Sequence, residues 1–248
     1  MPDQIVALAP WSPQEIFDLT VLAFNVADRY RTPVILLADE VIGHMVERVT
    51  IPPKAQIPFW HRKKPPPSID FDGSYPPFQP GDDLVPPLPH AGEGYRVHFT
   101  GLTHNERGYP EMKADTHHHL VNRLSQKIQY NASKFTLFEE YHLADAEIAV
   151  ISYGCTARSA RRAIQEAREA GIKAGLLRLI TIWPFPEERI RALATQVPAL
   201  IVAEMNLGQI YHPVREAACG NCEVEVAPKI GGEMHLPDEL LKYLGVRS

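Results

Sequence analysis

The second half of the chain alternates short apolar runs with amphipathic segments, and this alternation constrains the fold more than any other feature. The predicted strands are 147–153, 173–179, 199–204 and 222–228, and the predicted helices are 157–170, 187–196, 209–218 and 237–244. Repeated strand–helix units are typical of a three-layer α/β domain with a mostly parallel sheet. We place this domain at residues 144–248.

The first forty residues predict one β-α-β unit. The run IVALA (5–9) is a short strand, and Ser12 with Glu15 forms an S-x-x-E capping box at the start of a helix. The run TPVILLAD (32–39) is continuously apolar, which is typical of a parallel strand buried on both faces. One such unit cannot cover its own sheet, so residues 1–50 need strands or a partner from elsewhere.

Residues 51–143 form the predicted connection between these two parts. Residues 51–95 hold 12 of the 23 prolines, which excludes helix and central strand. The same stretch contains five aromatic residues, Phe59, Trp60, Phe71, Tyr75 and Phe78. We therefore predict an extended arm that aromatic side chains hold on a protein surface, with a disordered linker as the alternative. A helix is predicted from 116 to about 141.

Five histidines lie between residues 98 and 120, and three of them are consecutive, at 117–119. Consecutive helical residues point about 100° apart, so these three cannot converge on one metal ion. A metal site that joins one of them to His98 or His104 stays open, but no H-E-x-x-H spacing supports it. A contact with another subunit is the favoured interpretation, with Thr100, His104 and His118 as candidates.

Motifs for other chemistry are weak. The turn SYGCTARS has one glycine, Gly154, and lacks both G-x-G-x-x-G and G-K-[ST], although Arg158 and Arg161 leave an anion at this helix start possible. Cys219 and Cys222 are two ligands where a zinc or iron–sulfur site needs about four. No Ser/His/Asp arrangement is apparent, so no catalytic residue and no metal ligand is assigned.

Polar side chains follow the third predicted strand of the second half. Glu204, Asn206 and Gln209 leave a buried strand for a helix start. Ligands and partners meet open parallel sheets at the carboxyl ends of their strands. These residues therefore predict a functional edge, with plain helix capping by Asn206 as the equal alternative.

Composition excludes some classes of function. The net charge of −5 argues against a nucleic-acid binder, and no apolar run approaches the roughly 20 residues that span a bilayer. The start MPDQIVALAP is acidic, which argues against a signal peptide. The three cysteines are an odd number and favour a reducing cytoplasm.

Four segments together resemble one known family. HFTGLTHNERGYP, EMNLGQIYHPVR and KIGGEMHLPDEL, in this order, are similar to the alpha subunit of 2-oxoacid:ferredoxin oxidoreductases, closest to the 2-oxoglutarate type. The segment APWSPQEIFDLTVLAFNVADRYRTPVILLADEVIGHMVE looks like the same family. The resemblance covers nearly the whole chain.

The resemblance implies a thiamine-diphosphate enzyme built from several chains. The alpha chain would carry a pyrimidine-type thiamine-fold domain followed by a transketolase C-terminal-like domain. A beta-type chain would bring the diphosphate-type domain and an iron–sulfur cluster. Such a complex converts 2-oxoglutarate to succinyl-CoA, with coenzyme A as acyl acceptor and ferredoxin as electron acceptor. It implies a cytoplasmic hetero- or homo-oligomer.

The sequence departs from the family pattern in one respect. The Y-P-I-T-P-like segment, the glutamate that faces the aminopyrimidine and the glycine-rich substrate loop are not found in these 248 residues. The chain therefore resembles the carboxy-terminal portion of an alpha subunit, with an incomplete pyrimidine-type unit at 1–50, and we expect it to be inactive alone. The alternatives are a non-catalytic assembly subunit and a stand-alone α/β ligand-binding module.

Overall fold

The computed structural model describes residues 5–66 and 73–246, and the chain divides into two compact units. The sheet unit consists of Ala7–Thr20, Leu36–Ile51 and the residues from Thr136 onward. The arm unit consists of Val21–Ile35 and Pro52–Phe135, together with the residues up to Val6. The domain boundaries that we expect after residues 50 and 143 stay a prediction.

The regular elements follow the predicted alternation of strands and helices. In chain order they are β1 (Val6–Leu8), α1 (Pro13–Tyr30), β2 (Val34–Leu36), α2 (Glu40–His44), α3 (Ala114–Asn131), β3 (Phe138–Tyr141), β4 (Ile148–Tyr153), α4 (Gly154–Glu169), β5 (Ala174–Leu179), β6 (Thr181–Trp183), α5 (Glu187–Ala194), β7 (Ala199–Glu204), α6 (Tyr211–Ala218), β8 (Glu223–Pro228) and α7 (Pro237–Tyr243).

The larger sheet has five strands in the order β3-β5-β4-β7-β8, and its last four strands are mutually parallel. Successive residues point to opposite faces, so Ile151 packs with α5 and α6 whereas Val150 packs with α4 and α7. Burial on both faces explains the continuous apolar runs. The expected three-layer α/β fold with a mostly parallel sheet is confirmed.

The predicted helix at 116–141 is wrong in its last part. Helix α3 ends at Asn131, a short 3-10 turn follows, and residues 138–141 form β3, which pairs antiparallel with β5. The segment FTLFEEY is rich in aromatic and β-branched residues, which fit a pleated sheet edge. The open edge of β5 supplies the backbone partners that a helix would otherwise supply to itself.

The smaller sheet has the order β2-β1-β6. Strand β6 pairs antiparallel with β1, with Ala7 opposite Trp183, although the sequence predicted only a connection there. The prediction that the second apolar run is buried on both faces is wrong, because Ile35 in β2 is 43% exposed. Strand β2 is an edge strand. Among the three strands of the smaller sheet, β1 is the one whose residues are all buried.

In the described part of the proline-rich segment, residues 51–66 and 73–95, the regular structure is a 3-10 turn at Lys54–Gln56, and two of its aromatic residues pack. Tyr75 is buried and its hydroxyl donates a 2.6 Å hydrogen bond to the Pro87 carbonyl. Phe78 lies 5.6 Å from the Phe99 ring. The prediction fails at Phe59, which is 69% exposed.

Trp60 is held through its backbone N–H, which donates to Asn25 Oδ1 at 2.9 Å. The remaining aromatic of the set, Phe71, lies outside the described residues.

A buried arginine joins the start of α1 to the larger sheet. Arg178 on β5 has no exposed surface, and its guanidinium forms ion pairs with Glu15 on α1 and with Glu139 on β3, the second at 2.8 Å. Its guanidinium carbon lies 3.7 Å from the centre of the Trp11 ring. The predicted capping box is met in one half only: the Glu15 N–H donates to Ser12 Oγ at 3.2 Å, whereas the Glu15 carboxylate accepts the N–H of Trp11, at 3.0 Å, instead of that of Ser12.

We expect Glu15→Gln to lower the free energy of unfolding by about 2–4 kcal/mol, because it removes the carboxylate that accepts hydrogen bonds from both terminal nitrogens of the buried Arg178 guanidinium. The matched control is Glu140→Gln, which neutralises a carboxylate on β3 whose partner Arg189 lies nearer the surface, and which should cost less than about 1 kcal/mol. Urea unfolding of the two variants measures both values. Equal losses would contradict the role given to Arg178.

Candidate functional site

The candidate site lies between β4 and β7, where the strand order of the larger sheet reverses. The chain passes from β4 to β5 on one side, and then crosses to β7 on the other side of β4. Adjacent parallel strands whose connections leave in opposite directions open a crevice at their carboxyl ends, where ligands of α/β folds bind. Here those ends are Tyr153 of β4 and Glu204 of β7.

Glu204 is buried, and both oxygens of its carboxylate accept hydrogen bonds from neighbouring protein groups. Its carboxylate accepts the backbone N–H groups of Ile210 and Tyr211, both at 2.9 Å, at the start of α6. The Tyr153 hydroxyl donates to Glu204 Oε2 at 3.2 Å. A negative charge at a helix start complements the helix dipole. Glu204 therefore fixes the chain between β7 and α6 rather than facing a ligand.

Asn206 completes this network. Its Oδ1 accepts the N–H groups of Gly208 at 2.9 Å and Gln209 at 2.8 Å, and its Nδ2 donates to the Tyr153 hydroxyl at 2.9 Å. Burial, together with the Glu204 carboxylate, raises the pKa of Tyr153, so the phenol stays neutral and can donate to Glu204. Asn206 thus satisfies backbone N–H groups of the loop that precedes α6, while Glu204 accepts those at the helix start.

The loop that this network fixes presents other groups outward. Leu207 is 74% exposed, and the side chain of Gln209 is exposed as well. The loop borders a shallow cleft of about 480 Å³, which is lined by Met205, Asn206, Leu207, Gly208, Gln209, His212, Ile230 and Gly231. We propose the outward side of this loop, Leu207 and Gln209, as the contact-forming part of the candidate edge.

The start of α4 at the same crevice is filled by the chain itself. The Asp39 carboxylate accepts the backbone N–H of Cys155 at 2.6 Å. Gly154 has φ +54, and a side chain there would overlap the Asp39 carboxylate. The anion at this helix start is therefore Asp39.

The two arginines suspected of helping an external anion have protein partners instead. Arg158 donates to the Trp11 carbonyl at 3.1 Å and pairs with Glu47 at 2.7 Å. The guanidinium of Arg161 lies over the Tyr141 ring at 4.6 Å. The sequence interpretation of an arginine-assisted anion site at this turn is therefore wrong.

The three cysteines are free thiols in different surroundings. Burial, and next the nearby Asp39 carboxylate, raise the pKa of the Cys155 thiol to about 12, so it is protonated at neutral pH. Cys219 and Cys222 are free thiols at the turn between α6 and β8, and Cys222 is half-buried. Within residues 5–66 and 73–246, no three His, Cys, Asp or Glu side chains are grouped closely enough to hold a metal ion.

The remaining candidates, Thr100, His104 and His118, belong to the arm unit, whereas Glu204, Asn206 and Gln209 belong to the sheet unit. The Thr100 hydroxyl accepts the Leu102 N–H at 3.1 Å, and the His104 ring lies 4.1 Å from that of Phe78. On α3 the exposed His118 Nε2 lies 2.8 Å from Asn122 Nδ2.

Sequence reasoning missed Asp39 and Tyr153, the two side chains that complete the crevice. Both directly follow or end apolar runs, at the carboxyl ends of β2 and β4. The available signal was the position of a polar residue at the carboxyl end of a parallel strand. The sequence analysis used that signal only for the strand that ends at Glu204.

The carboxylates of the first fifty residues bear on whether thiamine could be activated here. Thiamine enzymes need a carboxylate that is free to face the aminopyrimidine. Asp39 is bonded to Cys155, Glu15 to Arg178, and Glu47 to Arg158. These three do not fit that role, so no catalytic step is assigned to them.

Two family profiles match the chain. The profile described as pyruvate flavodoxin/ferredoxin oxidoreductase, thiamine diphosphate-binding, matches residues 3–123. The profile described as pyruvate:ferredoxin oxidoreductase core domain II matches residues 146–240.

Named relatives agree with these profiles. The chain is 46% identical to the 2-oxoglutarate synthase subunit KorA of Methanothermobacter thermautotrophicus, over 97% of this chain and 63% of the relative. It is 48% identical to that of Methanothermobacter marburgensis, over 98% and 64%. It is 35% identical to the ketoisovalerate oxidoreductase subunit VorB of the latter organism, over 92% and 56%. The chain thus spans less than two thirds of the length of these relatives.

A solved structure shares the fold. The 2-oxoglutarate:ferredoxin oxidoreductase from Magnetococcus marinus, with 2-oxoglutarate, coenzyme A and succinyl-CoA bound, superposes with a TM-score of 0.82 at 23% identity. The match covers 97% of this chain and 42% of that chain.

We expect Gly154→Ala to destabilise the chain by about 3 kcal/mol, because alanine is strained at positive φ and its methyl group displaces Asp39. Gly171→Ala is the matched control, since Gly171 has φ +88 but open space around it, and it should cost about 1 kcal/mol. Adding Asp39→Ala should relieve part of the Gly154→Ala loss in urea unfolding. Equal costs for both glycines would rule out the Asp39 contact.

Proposed function

Because the chain belongs to the 2-oxoacid:ferredoxin oxidoreductase family, we propose that it is an alpha-type subunit of an enzyme that oxidatively decarboxylates 2-oxoglutarate to succinyl-CoA. One observation carries the proposal, namely identity of 46–48% over almost the whole chain to two 2-oxoglutarate synthase subunits. Electrons would pass to ferredoxin and the acyl group to coenzyme A.

The chain's own contribution would be structural and positional. Thiamine diphosphate, when bound in the complex, supplies the electron sink for decarboxylation. Glu204 and Asn206 hold a rigid loop at the sheet edge, and that loop directs Leu207 and Gln209 outward. We propose that Glu204 and Asn206 build a contact edge that Gln209 presents to a partner, and that Thr100, His104 and His118 belong to a second contact in the arm unit.

The partners follow from the same proposal. A beta-type chain would hold most of the thiamine diphosphate and the iron–sulfur cluster. The three free cysteines suit a reducing compartment, so we place the complex in the cytoplasm. No helix in the part of the chain that the structure describes is both long and apolar enough to cross a bilayer.

A branched-chain 2-oxoacid is the second candidate substrate. The 35% identity to a ketoisovalerate oxidoreductase subunit supports it. The lower identity, relative to the 2-oxoglutarate synthase subunits, places it behind 2-oxoglutarate.

The test is the activity of the assembly that carries this chain. The chain is tagged in its native host, the intact complex is purified, and reduction of a viologen dye is followed with coenzyme A and either 2-oxoglutarate or ketoisovalerate. We expect kcat/KM to be at least tenfold higher with 2-oxoglutarate. A complex that lacks thiamine and reduces no dye would favour a non-catalytic assembly subunit instead.

The contact edge is tested by Gln209→Ala. The side chain is exposed, so the melting temperature should hardly change, whereas association with the partner chain should weaken roughly five- to thirtyfold if Gln209 lies in the interface. Gln196→Ala, also at an exposed position, is the control and should change neither. Affinities come from biolayer interferometry. Unchanged association in Gln209→Ala would leave only the capping role for this loop.

A further inference from the structure

Three cationic side chains line one cavity of the arm unit. The cavity has a volume of about 240 Å³. Its cations are Arg31 at the end of α1, and Arg123 and Lys127 on α3. Thr100 and His104 lie on the same wall. The proposed function makes no use of this cluster of positive charge.

The cations are held in place by contacts that do not neutralise them. Lys127 is 2% exposed, and its ammonium donates to the Arg31 carbonyl at 2.7 Å. The Arg31 guanidinium donates to the Pro77 carbonyl and lies 4.4 Å from the centre of the Phe78 ring. Carbonyls and a ring face satisfy donors, but they leave the net charge in place.

Counter-ions are missing from this wall. Among the described residues, no carboxylate lies within ion-pairing distance of Arg31, Arg123 or Lys127, and Glu106 acts on Arg123 only from a longer distance. A buried charge without a partner is costly, and so is a cluster of like charges. Such an arrangement is retained where a ligand supplies the opposite charge.

Burial and neighbouring positive charge both act against the charged forms of this cluster. Burial, and next the positive charges of Arg123 and Arg31, lower the pKa of Lys127 to about 7. Burial, and next Arg123, lower the pKa of Arg31 to about 10, with Tyr75 acting in the opposite sense and Arg62 in the same sense. Each charge thus disfavours the others until an anion arrives.

We propose that Arg31, Arg123 and Lys127 form a binding site for the oxyanion group, phosphate or carboxylate, of a small molecule. Two guanidinium groups and one ammonium provide the fork-shaped and point-like donors that such groups accept. The Thr100 hydroxyl on the same wall adds a neutral donor.

A second cavity gives the ligand room beyond its charged group. It has a volume of about 610 Å³, and it shares Phe78, His104 and Arg123 with the cationic cavity. His118, Asn122 and the Glu106 carboxylate lie along its polar wall, so the anionic end is directed to the cationic cavity and away from Glu106. The ligand class is therefore an organic anion whose charged end enters the cationic cavity and whose polar body lies along α3.

The test uses sulfate, whose charge is constant near neutral pH, and acetate as the carboxylate probe. Calorimetric titration of the full chain, at ionic strength fixed with chloride, should give a Kd on the order of 1 mM for the better probe. Arg123→Gln should weaken binding about tenfold. Arg162→Gln, which removes one exposed guanidinium from α4, should leave it unchanged. The preferred probe identifies the phosphate or the carboxylate class.

The pH dependence gives a second readout. Binding requires protonated Lys127, so sulfate affinity should fall about tenfold from pH 6.5 to 8.5. His104 lies on the same wall, so His104→Gln is the control that must leave this pH dependence in place. Lys127→Met should bind weakly at both pH values.

Two results would overturn the proposal. One is no heat of binding with either probe at about fifty times the expected Kd. The other is equal binding by Arg123→Gln and Arg162→Gln, which would mark surface association with no site. Circular dichroism of each variant confirms folding, and a variant that fails to fold is replaced by Arg123→Lys, for which a several-fold loss is expected.

Discussion

The sheet unit depends on one charge that has no access to water. Arg178 lies on β5 with no exposed surface, and Glu15 and Glu139 both form ion pairs with its guanidinium. One of these carboxylates comes from the first turn of α1 and the other from the antiparallel edge strand β3. A segment near the amino terminus and an edge strand near residue 140 are thus fixed to the same point of the sheet. Removal of either leaves buried guanidinium donors without their acceptor, which is costly in a fold even though the other carboxylate remains.

Carboxylates also organise the crevice at the switch point. Asp39 and Glu204 each follow or end a strand, and each accepts N–H groups at the start of a helix, α4 and α6 respectively. The polar residues that mark a functional edge in the sequence are therefore occupied in building it. What the edge offers to another molecule are the side chains that remain outside this network, above all Leu207 and Gln209.

The larger sheet was predictable because strands and helices alternate regularly along the chain. Strands that form by pairing with distant segments were not predictable. The four strand–helix units carry their signal locally, because burial on both faces demands apolar runs. Strands β3 and β6 are short, and each exists because a distant strand offers an open edge. Residue types do not encode which edge is open. For the same reason the sequence indicated Glu204 but not Asp39, whose partner Cys155 is 116 residues away.

The two sheets are connected by a linker of a single residue. Strand β5 ends at Leu179 and β6 begins at Thr181, so Ile180 alone separates a strand of one sheet from a strand of the other. Its carbonyl accepts the Ala9 N–H at 2.8 Å, and its own N–H donates to the Leu137 carbonyl at 3.0 Å. This one-residue linker has both its backbone N–H and its carbonyl in hydrogen bonds, so it holds the two sheets together at this point. A displacement of β1 is therefore coupled through Ile180 to β5 and the larger sheet.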